Sequence, residues 1–516
     1  MNAIVANPLA ALEGKVASAS LLTDEATREL FRHDVYSAGP APLAVFRPGS
    51  VEELAAGIGA ATAVGIAIVP RGGGMSYTGG YLSPTANFIL IDTASLNRVI
   101  EVNETDMTAT VECGITWEEL RRALQPRGLR TKTWGTLSGI NATVGGGMSQ
   151  NGVFWGAGGG TVVDSALSFD VVLADGSVVS TGSSFFRPYG PDLTGLFAAD
   201  CGAFGVKARA TLRLVREGAA FAYGSFSFDT SDQLFAGMSA VAREGLASES
   251  FGFDPFLQAQ RMKRDSLASD AKSLVNMMKA QGSLLKGLKE GAKVALAGRS
   301  FLDDVPFSLH CISERRRQNE ADADMAEITR LIEQAGGKAI ENTIPKILRA
   351  TPFPPVNSMV GPEGERWVPV HGFLPHSKLA EGWNAVQVLF AARADEMAAL
   401  GVNAGAMLAA VSPQVCLIEP VFFWPEELNP LHRHAVEPGH LAKLKGFPAN
   451  AASTALVTEL RAGVIAEFQK LGAVHLQIAR TYPLSNSHSP TTWGLLRELK
   501  AKVDPKGLMN PGSLGL

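Results

Sequence analysis

Gly65-Ile-Ala-Ile-Val-Pro-Arg-Gly-Gly-Gly-Met-Ser-Tyr-Thr-Gly-Gly-Tyr81 is the stretch on which the fold turns. A short apolar strand, Ile66 to Val69, runs into Pro70 and then a loop with five glycines in the nine residues from Gly72 to Gly80. Glycine reaches positive φ at little steric cost and lets a ligand approach the backbone closely. Successive N–H groups can therefore converge on an anion such as a pyrophosphate. An ordinary loop between strands is the competing reading. The segment is not a common nucleotide fingerprint: it contains no G-x-G-x-x-G, and it leads to a second extended run, Asn87 to Asp92, instead of opening a helix. No G-x-x-x-x-G-K-[ST] occurs either.

The chain has 516 residues, enough for two or three domains with sizeable cores, and its formal charge of −4 gives no basic footprint for nucleic acid. Its four cysteines, Cys113, Cys201, Cys311 and Cys416, are far apart in apolar surroundings, which suits reduced thiols in a cytoplasmic protein. No signal-peptide pattern and no apolar run of the roughly 20 residues needed to span a bilayer is visible.

Around the quoted stretch, the pattern predicts a helix over Val51–Val64 and strands at Ile66–Val69, Asn87–Asp92 and Thr108–Glu112. A helix over Thr116–Leu124 follows, then a second glycine-rich region from Gly135 to Gly160. Ala166–Leu173 and Val178–Thr181 read as strands joined by the turn Ala174-Asp175-Gly176-Ser177, and Ala208–Val215 closes the unit. Beyond it, strands are expected at Phe221–Phe228, Phe307–Ser313, Trp367–Leu374, Gly405–Val411 and Val415–Phe423. Helices are expected at Ser231–Gly245, Glu314–Ala335 and Lys378–Leu400, and over most of Arg261–Ala297. Lys279, Lys286, Lys289 and Lys293 in that last stretch read as a solvated face, with contact to an anionic membrane surface as the alternative. Strands alternating with helices, with aromatic residues at strand ends, suggest a separate α+β domain over a ligand site.

Four segments in order resemble the flavin-binding domain of the vanillyl-alcohol oxidase/p-cresol methylhydroxylase superfamily. They are Arg71–Gly80, Gly135–Gly152, Asp192–Val206 with its Gly202-Ala-Phe-Gly-Val206 turn, and Asp504–Gly512. The resemblance implies an α+β protein with a flavin domain of two α/β subdomains at 1–217. A cap with an antiparallel sheet would occupy 218–470, and a C-terminal segment, 471–516, would return to the flavin domain. It implies FAD as cofactor. It places FAD contacts at Arg71, Gly72, Gly73, Gly74, Met75, Ser76, Gly79 and Gly80 in the first segment. In the second they fall at Thr136, Ser138, Gly139, Thr143, Gly145, Gly146, Ser149, Asn151 and Gly152, in the third at Gly202, Gly205 and Val206, and in the fourth at Asn510.

Departures from the family patterns narrow the chemistry. Members that attach flavin through the first loop carry His where this chain has Met75, so noncovalent FAD is expected. A link through His432 or His434 in the cap is the alternative. Hydroxy-acid members carry a metal motif whose nearest counterpart here is His371-Gly-Phe-Leu-Pro-His376. No metal is assigned, and His371, His376 and Glu419 are the set that would otherwise form one. Ala479-Arg480-Thr481-Tyr482 keeps the arginine of a substrate-side segment but not the tyrosine before it. Arg480 is thus read as a clamp for a carboxylate or phenolate, with a structural salt bridge as the competing reading. Glu419 sits on one face of an apolar strand with Val421 and Phe423, and Arg366 is a further candidate for the same cleft.

The resulting expectation is an FAD-dependent oxidoreductase acting on a CH–OH group, with His371, His376 or His434 as base, Glu419 as a further acid/base, and Arg480 holding an anionic handle. A 2-hydroxy acid comes first, an aromatic alcohol or phenol second, and a redox-neutral flavin-dependent transfer third. The partners expected are a small-molecule substrate and an electron acceptor left open between oxygen, a quinone, a cytochrome and a flavoprotein, with a homo-oligomer also open.

Overall fold

A strand–helix–strand unit begins at Ala44 and sets the first layer. The computed structural model describes residues 8–154, 158–264 and 305–516. The expected Lys-rich helix lies outside them except for its start, which ends the helix Pro255–Arg264. Strand Ala44–Phe46 leads into helix Val51–Ala63, whose cap is Ser50: the side chain accepts from the Glu53 amide. Val51, Leu54, Ile58 and Ala61 recur at helical spacing and are buried. Strands Ala67–Arg71 and Phe88–Asp92 then pair in parallel, Ile68 opposite Ile89, and Ala44–Phe46 flanks the second of them. The glycine loop is the crossover between those two parallel strands.

The C-terminus completes this layer. Ile68 donates to the Leu508 carbonyl at 2.8 Å, and Asn510 donates to the Ile68 carbonyl at 2.7 Å, so the tail runs beside the strand that feeds the glycine loop. Lys500, buried, holds the tail in place by donating to Ala203 O, to the Asp504 carboxylate and to Met509 O.

A second, antiparallel sheet has Thr108–Glu112 and Ala166–Val172 on either side of the long strand Val206–Arg216. Its helix Trp117–Leu124 starts with a reciprocal cap between Thr116 and Glu119, and the second glycine region contains the short helix Val144–Gln150, capped by Thr143. Among the described residues the third sheet is the largest. It runs from Lys338–Ile340 through Ala220–Phe228, Phe307–Arg315, Glu249–Phe253, Asn403–Ser412 and Val415–Trp424 to Arg366–Pro369. The strand expected over Trp367–Leu374 is interrupted at Val370 and His371. Arg366–Pro369 and Gly372–Leu374 each pair with Val415–Trp424, and the break turns His371 inward. Phe169, Val144 and Trp117 of the second sheet's layer share one buried apolar cluster with Met407, Val421 and Phe423 of the third. That cluster joins the large sheet to the layer that carries the second glycine region.

Candidate functional site

One cavity receives both glycine loops and the inner face of the large sheet. Of the residues expected at FAD, all line it except Gly79, Gly139, Asn151 and Asn510. The geometry revises the reason for several glycines. A Cβ on Gly72 would overlap the Thr143 hydroxyl, and one on Gly73 would overlap the Asn141 carbonyl oxygen. These two glycines let the first loop pack on the second. Gly74 has φ +74°, and a side chain there would strike the Arg71 guanidinium folded beneath it. Gly146 differs: a Cβ there meets only the Thr143 hydroxyl, at 3.1 Å, and otherwise points into open space.

The four residues outside the cavity wall have other work. Gly139 makes room for the Phe353 ring, and Asn151 ends the helix Val144–Gln150 in the left-handed conformation at φ +51°. Asn510, fully buried, donates to Gly80 O and Cys201 O, tying the tail to two of the loops. Gly79 donates to the Asp34 carboxylate and accepts from Arg480.

Arg480 is where the expectation must be corrected. Its Nη1 donates to Gly79 O at 2.6 Å, and its Nη2 donates to Asn510 Oδ1 at 2.8 Å and Pro511 O at 2.6 Å. It does not line the cavity and braces the first loop against the C-terminal tail, so it is not a substrate clamp. Arg480→Ala is expected to cost on the order of 2 kcal/mol of stability, because it leaves three acceptors without a charged donor. Thermal unfolding of the FAD-loaded protein checks this. An unchanged midpoint would show that the brace is unimportant.

The other candidates separate by position. His376 Nε2 donates to the Pro413 carbonyl at 2.8 Å while its Nδ1 bonds Ser239 Oγ at 2.9 Å, and His434 is exposed on the short helix Pro430–Ala435. Neither lines the cavity. His432 is fully buried against Asn429, also away from the cavity wall. Arg366 donates to the carbonyls of Val35 and Tyr36 and lies over the Trp424 ring, which takes it out of the cleft. No group of three His, Cys, Asp or Glu side chains among the described residues is arranged to hold a metal.

His371 and Glu419 do line the cavity. His371 is 1 % exposed, its Nε2 bonds Leu476 O at 3.0 Å, and burial pushes its imidazole down to about 3. With Nε2 donating, Nδ1 is left to accept from the Tyr482 hydroxyl at 3.4 Å. His371 is therefore neutral through the working pH range and is a poor proton acceptor. Glu419 stands opposite Met407 in the pair Asn403–Ser412 and Val415–Trp424 of the large sheet. Its charge is felt by two buried phenols, Tyr77 and Tyr482, which it helps to raise.

Among the polar wall residues that sequence reasoning missed are Tyr77, Gln150, Lys207 and Gln477. Lys207 directly follows the Gly205-Val206 turn, and its ammonium is buried between Asp200 Oδ1 at 2.5 Å and Ser149 Oγ at 2.9 Å. Lys207 is the second residue of a strand that also carries Arg209, Arg213 and Arg216, so its type alone did not single it out.

The sequence comparisons agree with this geometry. Residues 42–182 match the FAD binding domain family, and residues 478–514 match the family of FAD linked oxidases, C-terminal domain. The two matches fall on the first loop with its neighbours and on the returning tail. The p-cresol methylhydroxylase structure with substrate bound superposes with a TM-score of 0.71 at 16 % identity, covering 99 % of this chain and 96 % of that one. This chain is an FAD-binding protein of the p-cresol methylhydroxylase fold. An alkyldihydroxyacetonephosphate synthase structure also shares the fold, with a TM-score of 0.70 at 15 % identity over 98 % of this chain and 84 % of that one. Among curated relatives, glycolate oxidase subunit GlcD of Bacillus subtilis is 31 % identical over 176 residues, 34 % of this chain and 37 % of that protein. D-2-hydroxyglutarate dehydrogenase of Xanthomonas citri is 29 % identical over 214 residues, 40 % of this chain and 44 % of that protein. The chain thus spans about two fifths of the length of these relatives.

The residues present fit FAD. Among the described residues, no acceptor is bonded by the amides of Gly72, Gly73, Gly74, Met75 or Ser76, all of which line the cavity. Arg71 Nε is likewise buried without a partner. A row of unspent N–H donors beside a guanidinium is what a diphosphate requires. Met75, in the same row, offers no nucleophilic nitrogen for attachment to the flavin, and no described helix is long and apolar enough to cross a membrane.

Proposed function

We propose that this protein is an FAD-dependent oxidoreductase that oxidises a hydroxyl-bearing carbon of a small organic substrate, with Glu419 accepting the hydroxyl proton. The observation that carries this reading is the shared cavity: the glycine loops form one part of its wall, and Glu419, with His371 and Trp367, forms another. When bound, FAD supplies a two-electron acceptor at its N5. The first and second loops hold the cofactor through backbone amides and Arg71. The cap wall excludes water and seats the substrate. Glu419 is the base by position, since His376 and His434 do not line the cavity and burial makes His371 a weak proton acceptor with its Nε2 proton committed to Leu476. Residues 1–217 and 471–516 are taken as the flavin domain and 218–470 as the cap, supported by the tail pairing with Ile68 and by the large sheet starting at Ala220.

An uncharged alcohol, aromatic or aliphatic, suits the wall best. Beside Glu419 it presents Leu257, Val356, Met359, Trp367, Met407 and Val421. The cations among the described lining residues are Arg71 and Lys207, one folded under the first loop and the other spent on Asp200. A substrate carboxylate placed next to Glu419 would face its like charge. The 2-hydroxy-acid reading rests instead on two of the relatives, glycolate oxidase subunit GlcD and D-2-hydroxyglutarate dehydrogenase.

Anaerobic mixing of the FAD-loaded protein with benzyl alcohols, aliphatic alcohols, D-lactate, glycolate and D-2-hydroxyglutarate decides between them. Bleaching of the flavin band by uncharged alcohols is the expected result, and bleaching by the acids alone would favour the second reading. A flavin that keeps its colour with every compound would contradict an oxidoreductase and favour a redox-neutral transfer. Admitting air to the reduced protein then separates oxygen from the other acceptors.

A further inference from the structure

The cavity wall also holds a phenol with an uncommitted proton. Tyr77, 9 % exposed, has its ring fixed edge-on by Trp367 at 5.8 Å and by His371 at 6.4 Å, and its carbonyl accepts from Arg461 at 3.2 Å. Its hydroxyl oxygen accepts from Gln477 Nε2 at 2.9 Å. With that lone pair used, the O–H must direct its own proton elsewhere, and no described residue accepts it. Burial, reinforced by the Glu419 carboxylate, raises the phenol well above its ordinary range, so the group stays protonated and remains a donor.

Gln477 is held for this task by unusual backbone. It sits at φ +49° and Ala479 at φ +42°, left-handed conformations that residues with a side chain seldom adopt. The surrounding loops impose them: the Gln477 amide donates to Gln150 O at 2.8 Å, and the Ala479 amide donates to Cys201 Sγ at 3.2 Å. Strain of this kind persists only where neighbours over-determine it, and it gathers at functional sites. Here it aims one side-chain amide at one tyrosine.

We propose that Tyr77 donates a hydrogen bond to the oxygen of the substrate hydroxyl, and that Gln477 is the positioning residue that sets the direction of that O–H. The proposal rests on the oxidoreductase reading above and extends it. While Glu419 takes the proton from the substrate oxygen, that oxygen keeps its bond from Tyr77, first as hydroxyl and then as carbonyl. Tyr77 itself gains and loses nothing.

The test uses the FAD-loaded protein under anaerobic conditions, titrated separately with benzyl alcohol and with toluene. The shift of the flavin band reads binding, and bleaching reads oxidation. Tyr77→Phe removes the donor. Gln477→Glu supplies a carboxylate that takes the Tyr77 proton for itself. Each is expected to weaken benzyl alcohol by about threefold to tenfold, the worth of one neutral hydrogen bond, and to leave toluene unchanged. Unchanged benzyl alcohol affinity in Tyr77→Phe, equal loss for both ligands in either variant, or a wild-type protein that does not prefer the alcohol would each overturn the proposal. If benzyl alcohol binds in a Tyr77-dependent way but leaves the flavin coloured, the contact stands and the oxidoreductase reading falls.

Discussion

Gly146→Val is expected to yield a folded protein that holds its flavin far more weakly. Gly146 lies in the first turn of the helix Val144–Gln150, where its amide is capped by Thr143 and its open side faces the cavity. A valine there meets little protein, so the fold should survive. Its branched side chain fills space the cofactor needs. Overpacking of this kind costs about 1–3 kcal/mol in a close-packed site, which means roughly tenfold to a hundredfold weaker FAD. The neighbouring Gly147→Val supplies the contrast, because a Cβ there runs into the indole of the buried Trp117 and should destabilise the fold itself. The ratio of flavin to protein absorbance, read beside thermal unfolding, distinguishes the two. Full flavin content in Gly146→Val would mean that the second loop is not a cofactor wall.

Glu419→Gln is the second large effect. The amide keeps the size and the strand register of Glu419 opposite Met407 but cannot accept a proton. FAD should remain bound, and the rate of anaerobic flavin reduction by the best substrate should fall by about 10²–10⁴, the usual worth of a positioned general base. His371→Gln should fall far less, since an imidazole pushed down to about 3 takes up a proton poorly and its Nε2 proton is held by Leu476. If Glu419→Gln reduced its flavin at the wild-type rate, the proton would have to leave by another route.

The glycine loops were legible because glycine states its own reason: positions such as Gly74 and Gly202 need positive φ, and Gly72, Gly73 and Gly145 leave no room for a side chain. The tail was legible only through the resemblance of Asp504–Gly512 to a family segment, and the structure adds that Asn510 sits there at φ +42°. Charged and titratable residues were read less well. Arg480, His376 and His434 carry suitable chemistry, but type and order cannot say which side of a sheet or loop a side chain will occupy. That is settled by long-range pairing, such as Arg480 reaching Gly79 and the Asn510–Pro511 turn. The break at His371 belongs to the same class, because it depends on where the strand Val415–Trp424 offers partners. Tyr77 and Gln477 are 400 residues apart, and no local pattern announces their contact.

The central claim is that the two loops and the cap enclose noncovalent FAD. Acid precipitation of the purified protein, followed by measurement of flavin in the supernatant and in the pellet, tests it most directly. The account predicts one FAD per chain, all of it released, because Met75 and the cavity-lining histidine, with its Nε2 held by Leu476, offer no site for attachment. A protein that carries no flavin, or a pellet that stays yellow, would contradict it.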